Sequence, residues 1–289
     1  MSAKATHTKG HGNGAGKKNI LVVLSEWGYW GEELLGPLET FDQAGYHVDF
    51  ATPKGKRPIA LPPSMDETYI DPPLGRTVTD ATVARKVREL DKSPRLDNPI
   101  SLEQLMPDRP YWSSPTFIRD MEQYYNRLDE VSRELEKYDA ILLVGGSGPI
   151  VDLANNHRVH DLVLLFKKAN KPIGAECYGV ACLAFARDLT DRKSIIAGKR
   201  VTGHCKEYDY KDGTGFIGTD FVIGPPPYPL EYILRDATAP DGEYVGNFGR
   251  EISVIVDYPF ITGRSNHDSY TTGQKMVEVL EHGLTRYGW

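Results

Sequence analysis

Ile173-Gly-Ala-Glu-Cys177-Tyr-Gly-Val-Ala-Cys-Leu-Ala-Phe185 reads as an apolar strand that passes into a helix through a turn only small residues permit. The strand is read as KPIGAEC, residues 171–177, and the helix as Gly179–Ala186. A side chain at such a turn is lifted above the carboxyl ends of the strands, which is where wound sheets bind ligands. Cys177 also sits at a helix start, whose partial positive charge favours a thiolate. On the N-terminal side, DAILLVGG (139–146) is a second strand leading into a glycine turn, where Gly145, Gly146 and Gly148 let backbone amides face a ligand. NILVVLS (19–25) is a third. Both are continuously apolar, as strands buried on two faces of a parallel sheet are. Between them, a helix over Glu32–Gln43 stops at Ala44-Gly45, and HVDFATP (47–53) returns as a strand. VHDLVLLFKKAN carries helical spacing at Val159, Leu162, Val163 and Phe166. Strands alternating with helices define an α/β domain with a wound, mostly parallel sheet flanked by helices.

Farther out, strands are expected at SIIAG (194–198), KRVTGH (199–204), ISVIVD (252–257) and PFITGR (259–264), with a closing helix over Thr272–Leu284. Residues 1–18 are small, polar and Gly-rich, so they read as a flexible tail before a single domain over 19–289. Residues 54–116 are proline-rich and only ATVARKVREL (81–90) looks helical there; with the helix near Phe117–Lys137 they form a cap-like insertion over 54–136. Aromatic residues in it (Tyr69, Tyr111, Trp112, Tyr124, Tyr125) either line a pocket or anchor the insertion, whereas Trp27, Tyr29 and Trp30 follow the first strand and are better placed to line it.

With 289 residues, 40% of them hydrophobic, the chain can bury one sizeable core. A net charge of −6 without a basic stripe argues against nucleic acid and for a small-molecule substrate. No apolar stretch is long enough to span a bilayer, and neither a signal peptide nor a membrane partner is indicated. Three cysteines, Cys177, Cys182 and Cys205, suit a reducing compartment, so a cytoplasmic location is expected. No CxxC pair or HExxH segment calls for metal, and no cofactor is expected. Of the three thiols, Cys177 is read as reactive and Cys182 as core filling, and Cys205 leans to structure.

Gly145-Gly-Ser-Gly-Pro-Ile-Val-Asp-Leu, followed by a helix and then Lys171-Pro-Ile-Gly-Ala-Glu-Cys177-Tyr-Gly, resembles the ThiJ/PfpI superfamily with its class I glutamine amidotransferase-like, flavodoxin-like fold. Gly31-Glu-Glu-Leu-Leu-Gly-Pro37 resembles the place where that superfamily sets a glutamate beside the cysteine, four residues before a proline, which selects Glu33 over Glu32. Pro229-Leu-Glu-Tyr-Ile-Leu-Arg-Asp-Ala and Ile261-Thr-Gly-Arg-Ser-Asn resemble segments of its larger, heat-shock and glyoxalase-like branch. The resemblance implies a homodimer and a cysteine nucleophile acting without cofactor on a small electrophilic carbonyl or related metabolite, as a lyase, hydratase or hydrolase. It also leaves open a chaperone-like or oxidation-sensing role, and, more weakly, an amidase or peptidase. Most members place histidine directly after the cysteine, where this chain has Tyr178. Either Tyr178 serves as a proton donor or a distant histidine supplies the base, with His267 the first candidate and His204 the second. Glu33 near a thiolate must share a proton with it and have a raised pKa. The amides of Gly146 and Tyr178 are expected to stabilise an oxyanion, while Gly148, Trp30 and Glu176 are the remaining candidates for substrate contact.

Overall fold

The computed structural model describes residues 17–213, 215–216, 229–249 and 252–289. The expected tail lies outside them up to residue 16. Already at Lys18 the chain is engaged, its carbonyl accepting the His47 N–H at 2.8 Å.

Eight strands form the central sheet: β1 (Asn19–Val23), β2 (His47–Thr52), β3 (Ile100–Ser101), β4 (Ala140–Leu143), β5 (Ile173–Glu176), β6 (Val254–Asp257), β7 (Phe260–Gly263) and β8 (Arg286–Tyr287). Their order across the sheet is β8-β6-β7-β5-β4-β1-β2-β3. Pairing is parallel from β3 through to β7, and β6 runs antiparallel to both β7 and β8. The chain winds outward from β1 to β3 and then restarts at β4 on the other side of β1. The crevice between the loops that follow β1 and β4 is therefore the switch point where such sheets bind ligands.

Alternation along the strands divides the core. Leu21, Val23, Ile141, Leu143, Ile173 and Ala175 face one layer, covered by α3 (Phe117–Glu134) and α5 (His157–Lys168). Ile20, Val22, Leu142 and Ile261 face the other, covered by α1 (Gly31–Gln43) and the C-terminal helix α8 (Ser269–His282). These last two helices approach closely because glycine stands at the crossing. A Cβ on Gly36 would lie 2.8 Å from the Ser269 side chain and the Tyr270 nitrogen, and one on Gly273 would lie 2.7 Å from Pro37 Cα. Further helices are α2 (Ala81–Asp91), α4 (Gly148–Asp152), α6 (Ala181–Phe185) and α7 (Leu230–Thr238), with single helical turns at Leu102–Leu105 and Lys206–Asp209.

Three sequence expectations change. SIIAG is a turn after a bridge between Arg187 and Ser194, its two isoleucines buried without a ladder. KRVTGH contributes only Arg200–Val201, paired with Glu243–Tyr244 outside the main sheet. The insertion is not one cap: residues 61–78 lie over the crevice, β3 extends the sheet, and α3 is an ordinary packing helix. Among the described residues no helix is long and apolar enough to cross a membrane.

Candidate active site

Cys177 directly follows β5 at φ +52°, in the left-handed region that a side chain normally avoids. Its neighbours leave it no alternative. A Cβ on Gly179 would sit 2.4 Å from the Leu143 carbonyl, and one on Gly145 would sit 2.4 Å from Glu33 Oε2 and 2.6 Å from Cys177 Cβ. The helix beyond is shorter than expected, a 3-10 turn at Cys177–Val180 and then only Ala181–Phe185. Its dipole is correspondingly small. Help for the sulfur comes instead from the backbone amides of Gly146 and Tyr178, which hydrogen-bond to it. They are outweighed: burial, and then the Glu33 carboxyl, push the Cys177 thiol well above its ordinary pKa.

A histidine does face the sulfur. His204 Nδ1 lies 3.2 Å from Cys177 Sγ, and its Nε2 lies 2.7 Å from Asp209 Oδ1. Since a carboxylate only accepts, Nε2 carries the hydrogen and Nδ1 is left as the acceptor for the thiol proton. The segment is fixed from both sides: the Thr202 N–H donates to Thr262 Oγ1 at 3.0 Å, and the Tyr244 hydroxyl donates to the Gly203 carbonyl at 3.1 Å. Tyr178 turns away from the sulfur, its hydroxyl donating to Asp209 Oδ2. Burial and the Asp209 charge hold that phenol well above its ordinary pKa, so it stays protonated and donates. His267, the first candidate from sequence, stands exposed at the cavity rim, where partial burial, Arg76 and Arg264 lower its pKa. It is His204, not His267, that stands within hydrogen-bond reach of the sulfur; His267 lies in the 3-10 turn Asn266–Asp268 after β7.

Glu33 reaches the thiol from the first turn of α1. Burial pushes its carboxyl up to about 8, reinforced by Glu32 and Asp268 and opposed by the Cys177 thiol and the Gly146 N–H. Glu33 thus holds a proton at neutral pH, as like-charge repulsion requires. Glu176 points to the opposite face of the sheet, against Gly263. It is fully buried and neither carboxyl oxygen has a hydrogen-bond partner; the nearby Ser269 hydroxyl is committed to the Asn266 carbonyl at 2.7 Å. Burial and the Glu33 charge raise it well above the ordinary range. It meets neither substrate space nor arginine, and remains a neutral acid. Gly148 is likewise outside the cavity: it lets α4 press against the Gly28 carbonyl, 2.1 Å from where a Cβ would be.

The cavity above Cys177 measures about 150 Å³. That volume admits a molecule of roughly benzene size. Trp30, Leu61, Pro63, Leu74 and Val78 give it apolar walls, with Glu33, His204, Ser147 and Ser265 around the sulfur. Tyr69 lines it, whereas Tyr111, Trp112 and Tyr125 are exposed elsewhere and Tyr124 is buried against Asp161. Trp27 is exposed, and Tyr29 is buried with its hydroxyl on Asp91 at 3.4 Å. Sequence reasoning missed Asp209 and the cavity carboxyl Asp71, whose pKa burial raises. Nothing in residues 205–209, which also contain Glu207, marks Asp209 as the partner of His204. Among the described residues no lysine or arginine lines the cavity. Among the described residues no group of three or more His, Cys, Asp or Glu is arranged to hold a metal.

The family model described as ThiJ/PfpI family-like matches residues 24–199. No curated protein matches the chain. Among solved structures, the rapid encystment protein of Francisella tularensis is 22% identical with a TM-score of 0.63, over 91% of this chain and 99% of that one. A ThiJ/PfpI domain protein from Brachyspira murdochii is 17% identical at a TM-score of 0.53, covering 93% and 99%. Glyoxalase III from Candida albicans is 16% identical at 0.52, covering 92% and 98%. At these identities the likeness is one of fold.

Proposed function

The chain belongs to the ThiJ/PfpI-like family, and from that premise we propose that it is a cofactor-independent enzyme whose Cys177 adds to a small, neutral electrophilic carbonyl. The observation that carries this reading is the line Cys177–His204–Asp209, closed at 3.2 Å and 2.7 Å at the floor of a small apolar cavity. As the sulfur–carbon bond forms, the thiol proton passes to His204 Nδ1 and the carbonyl π electrons move onto oxygen. The amides of Gly146 and Tyr178, already turned toward the sulfur, are placed to receive that charge. Glu33, neutral at pH 7, does not repel the developing thiolate and holds a proton for the adduct. A glyoxalase-like conversion of a 2-oxoaldehyde uses these steps, and so does a hydratase or lyase acting on another carbonyl of similar size. In the glyoxalase case Glu33 first gives its proton to the adduct oxygen, then as a carboxylate takes the proton from the carbon bonded to sulfur and returns it to the neighbouring carbon. Water cleaves the resulting thioester to release the hydroxy acid and restore the thiol.

The test is turnover of a small-aldehyde panel including methylglyoxal and, as the anionic member, glyoxylate. Among the described residues three carboxyl groups and, apart from two histidines, no basic side chain line the cavity, so kcat/KM for neutral members should exceed that for glyoxylate by about tenfold or more. A panel with no turnover at all, or one led by glyoxylate, contradicts the proposal. Because Glu33 gives up its proton near pH 8, kcat/KM should decline on the alkaline side with a midpoint close to that value. Glu33→Gln should lower kcat about a hundredfold while Cys177 remains open to alkylation; native kcat in this variant would remove Glu33 from the chemistry.

A further inference from the structure

We propose that Tyr178 and Tyr208 are positioning residues for His204, the first anchoring Asp209 through its hydroxyl and both bracketing the imidazole between their rings. This rests on the reading of Cys177 as nucleophile and His204 as its base. The Tyr178 ring centroid is 4.7 Å from that of His204 with the planes 31° apart, and the Tyr208 ring is 5.4 Å away on a 41° tilt. Tyr208 is itself held, by Phe248 at 5.6 Å and by the Arg264 guanidinium 5.7 Å from its centroid.

Two hydrogen bonds at opposite nitrogens fix the axis of an imidazole but leave it free to swing about that axis. Rings at these distances block the swing. The Tyr178 hydroxyl acts one step further back, because it occupies Asp209 Oδ2 and leaves Oδ1 facing Nε2. Asp209 is 1% exposed, so no solvent competes for either oxygen. The groups that face His204 are Cys177 and Tyr178 from the elbow, Asp209 and Tyr208 from the turn Lys206–Asp209, and Asp71 from the strand pair over the cavity, with Arg264 behind Tyr208. When His204 takes the thiol proton, the imidazolium has two aromatic rings with centroids 4.7 and 5.4 Å away, which favours the charged form. Tyr178, directly after the nucleophile, thus orients a base that comes from 27 positions downstream of Cys177.

The experiment needs no substrate. Iodoacetamide alkylation of Cys177 is followed by mass spectrometry from pH 6 to 10 in the native protein, Tyr178→Phe, Tyr208→Leu, His204→Asn and the double variant Tyr178→Phe/His204→Asn. The first two variants should slow alkylation at neutral pH about tenfold and move the midpoint of the profile upward by about one unit. In the double variant, Tyr178→Phe should add nothing to the loss caused by His204→Asn, which a merely structural role would not produce. Should Tyr178→Phe fail to fold, Tyr208→Leu on its own decides the bracketing. If His204→Asn slows alkylation and the tyrosine variants keep the native rate and midpoint, the positioning proposal is wrong and the base reading stands. If His204→Asn itself keeps the native profile, the base reading is wrong.

Discussion

Cys177→Ala should reduce aldehyde turnover by at least about a thousandfold, because no other group at the cavity floor combines nucleophilicity with an aligned base. Ser147 and Ser265 line the same space, but the base points its acceptor nitrogen at the sulfur. The substitution leaves the amides of Gly146 and Tyr178 and the Glu33 carboxyl in place, so any residual rate measures what binding and charge stabilisation achieve alone. Stability provides the control. Alanine inherits the +52° φ of Cys177 and its strain, whereas glycine tolerates it. Cys177→Gly should therefore be equally inactive but more stable than Cys177→Ala by about 1 kcal/mol. Thermal melts and aldehyde assays on the two variants check both halves. Turnover that survives in either one rules out the thiol as nucleophile, and a glycine variant that melts below the alanine variant contradicts the strain.

The elbow and the strands around it were legible because burial on both sheet faces leaves a continuous apolar run, and because Gly145 and Gly179 have no room for a side chain. Ile195 and Ile196 show the limit of that signal: two apolar residues bury as well in a turn as in a strand. Ile100–Ser101 joins the sheet with only two residues, too few for any period to register. For the site, proximity along the chain and family resemblance led to Cys177 and Glu33. They ranked His267 ahead of His204, whereas the structure puts His204 on the sulfur, because that depends on where Thr202 and Gly203 are tied to Thr262 and Tyr244. Glu176 was recognised as an anomaly in a buried strand. Which face of the sheet it occupies follows from β5 alternation, and that puts it opposite the cavity side of Cys177, away from substrate.

The melting temperature is expected to fall as pH rises from 6.5 to 8.5, a consequence of the acids packed behind the elbow. Glu32 and Glu33 are raised by burial to about 7 and about 8, and Glu176 lies well above its ordinary value. Asp268 is raised as well, although Arg264 lies 3.4 Å from it. Each of these carboxyls binds its proton more tightly in the folded chain than in the unfolded one. Their stabilising contribution is complete below the unfolded pKa and is lost as pH rises to the folded one, at about 1.4 kcal/mol per pH unit for each carboxyl still protonated. His160 and His267, whose pKa values are lowered, oppose the trend only near and below their ordinary value of about 6.5. Asp49 and Asp188, held below the carboxylate range, have finished titrating before this window opens. Glu176→Gln removes a buried acid held well above its ordinary range, so its melting curve should fall less steeply with pH and cross above the native one by pH 8.5. Melting both proteins at half-unit pH steps tests this, and parallel curves or a native melting temperature that does not fall across the window would contradict it. A shallower slope would mean that Glu176 is neutral in the folded state, and that the charge next to Cys177 at working pH is governed by Glu33 alone.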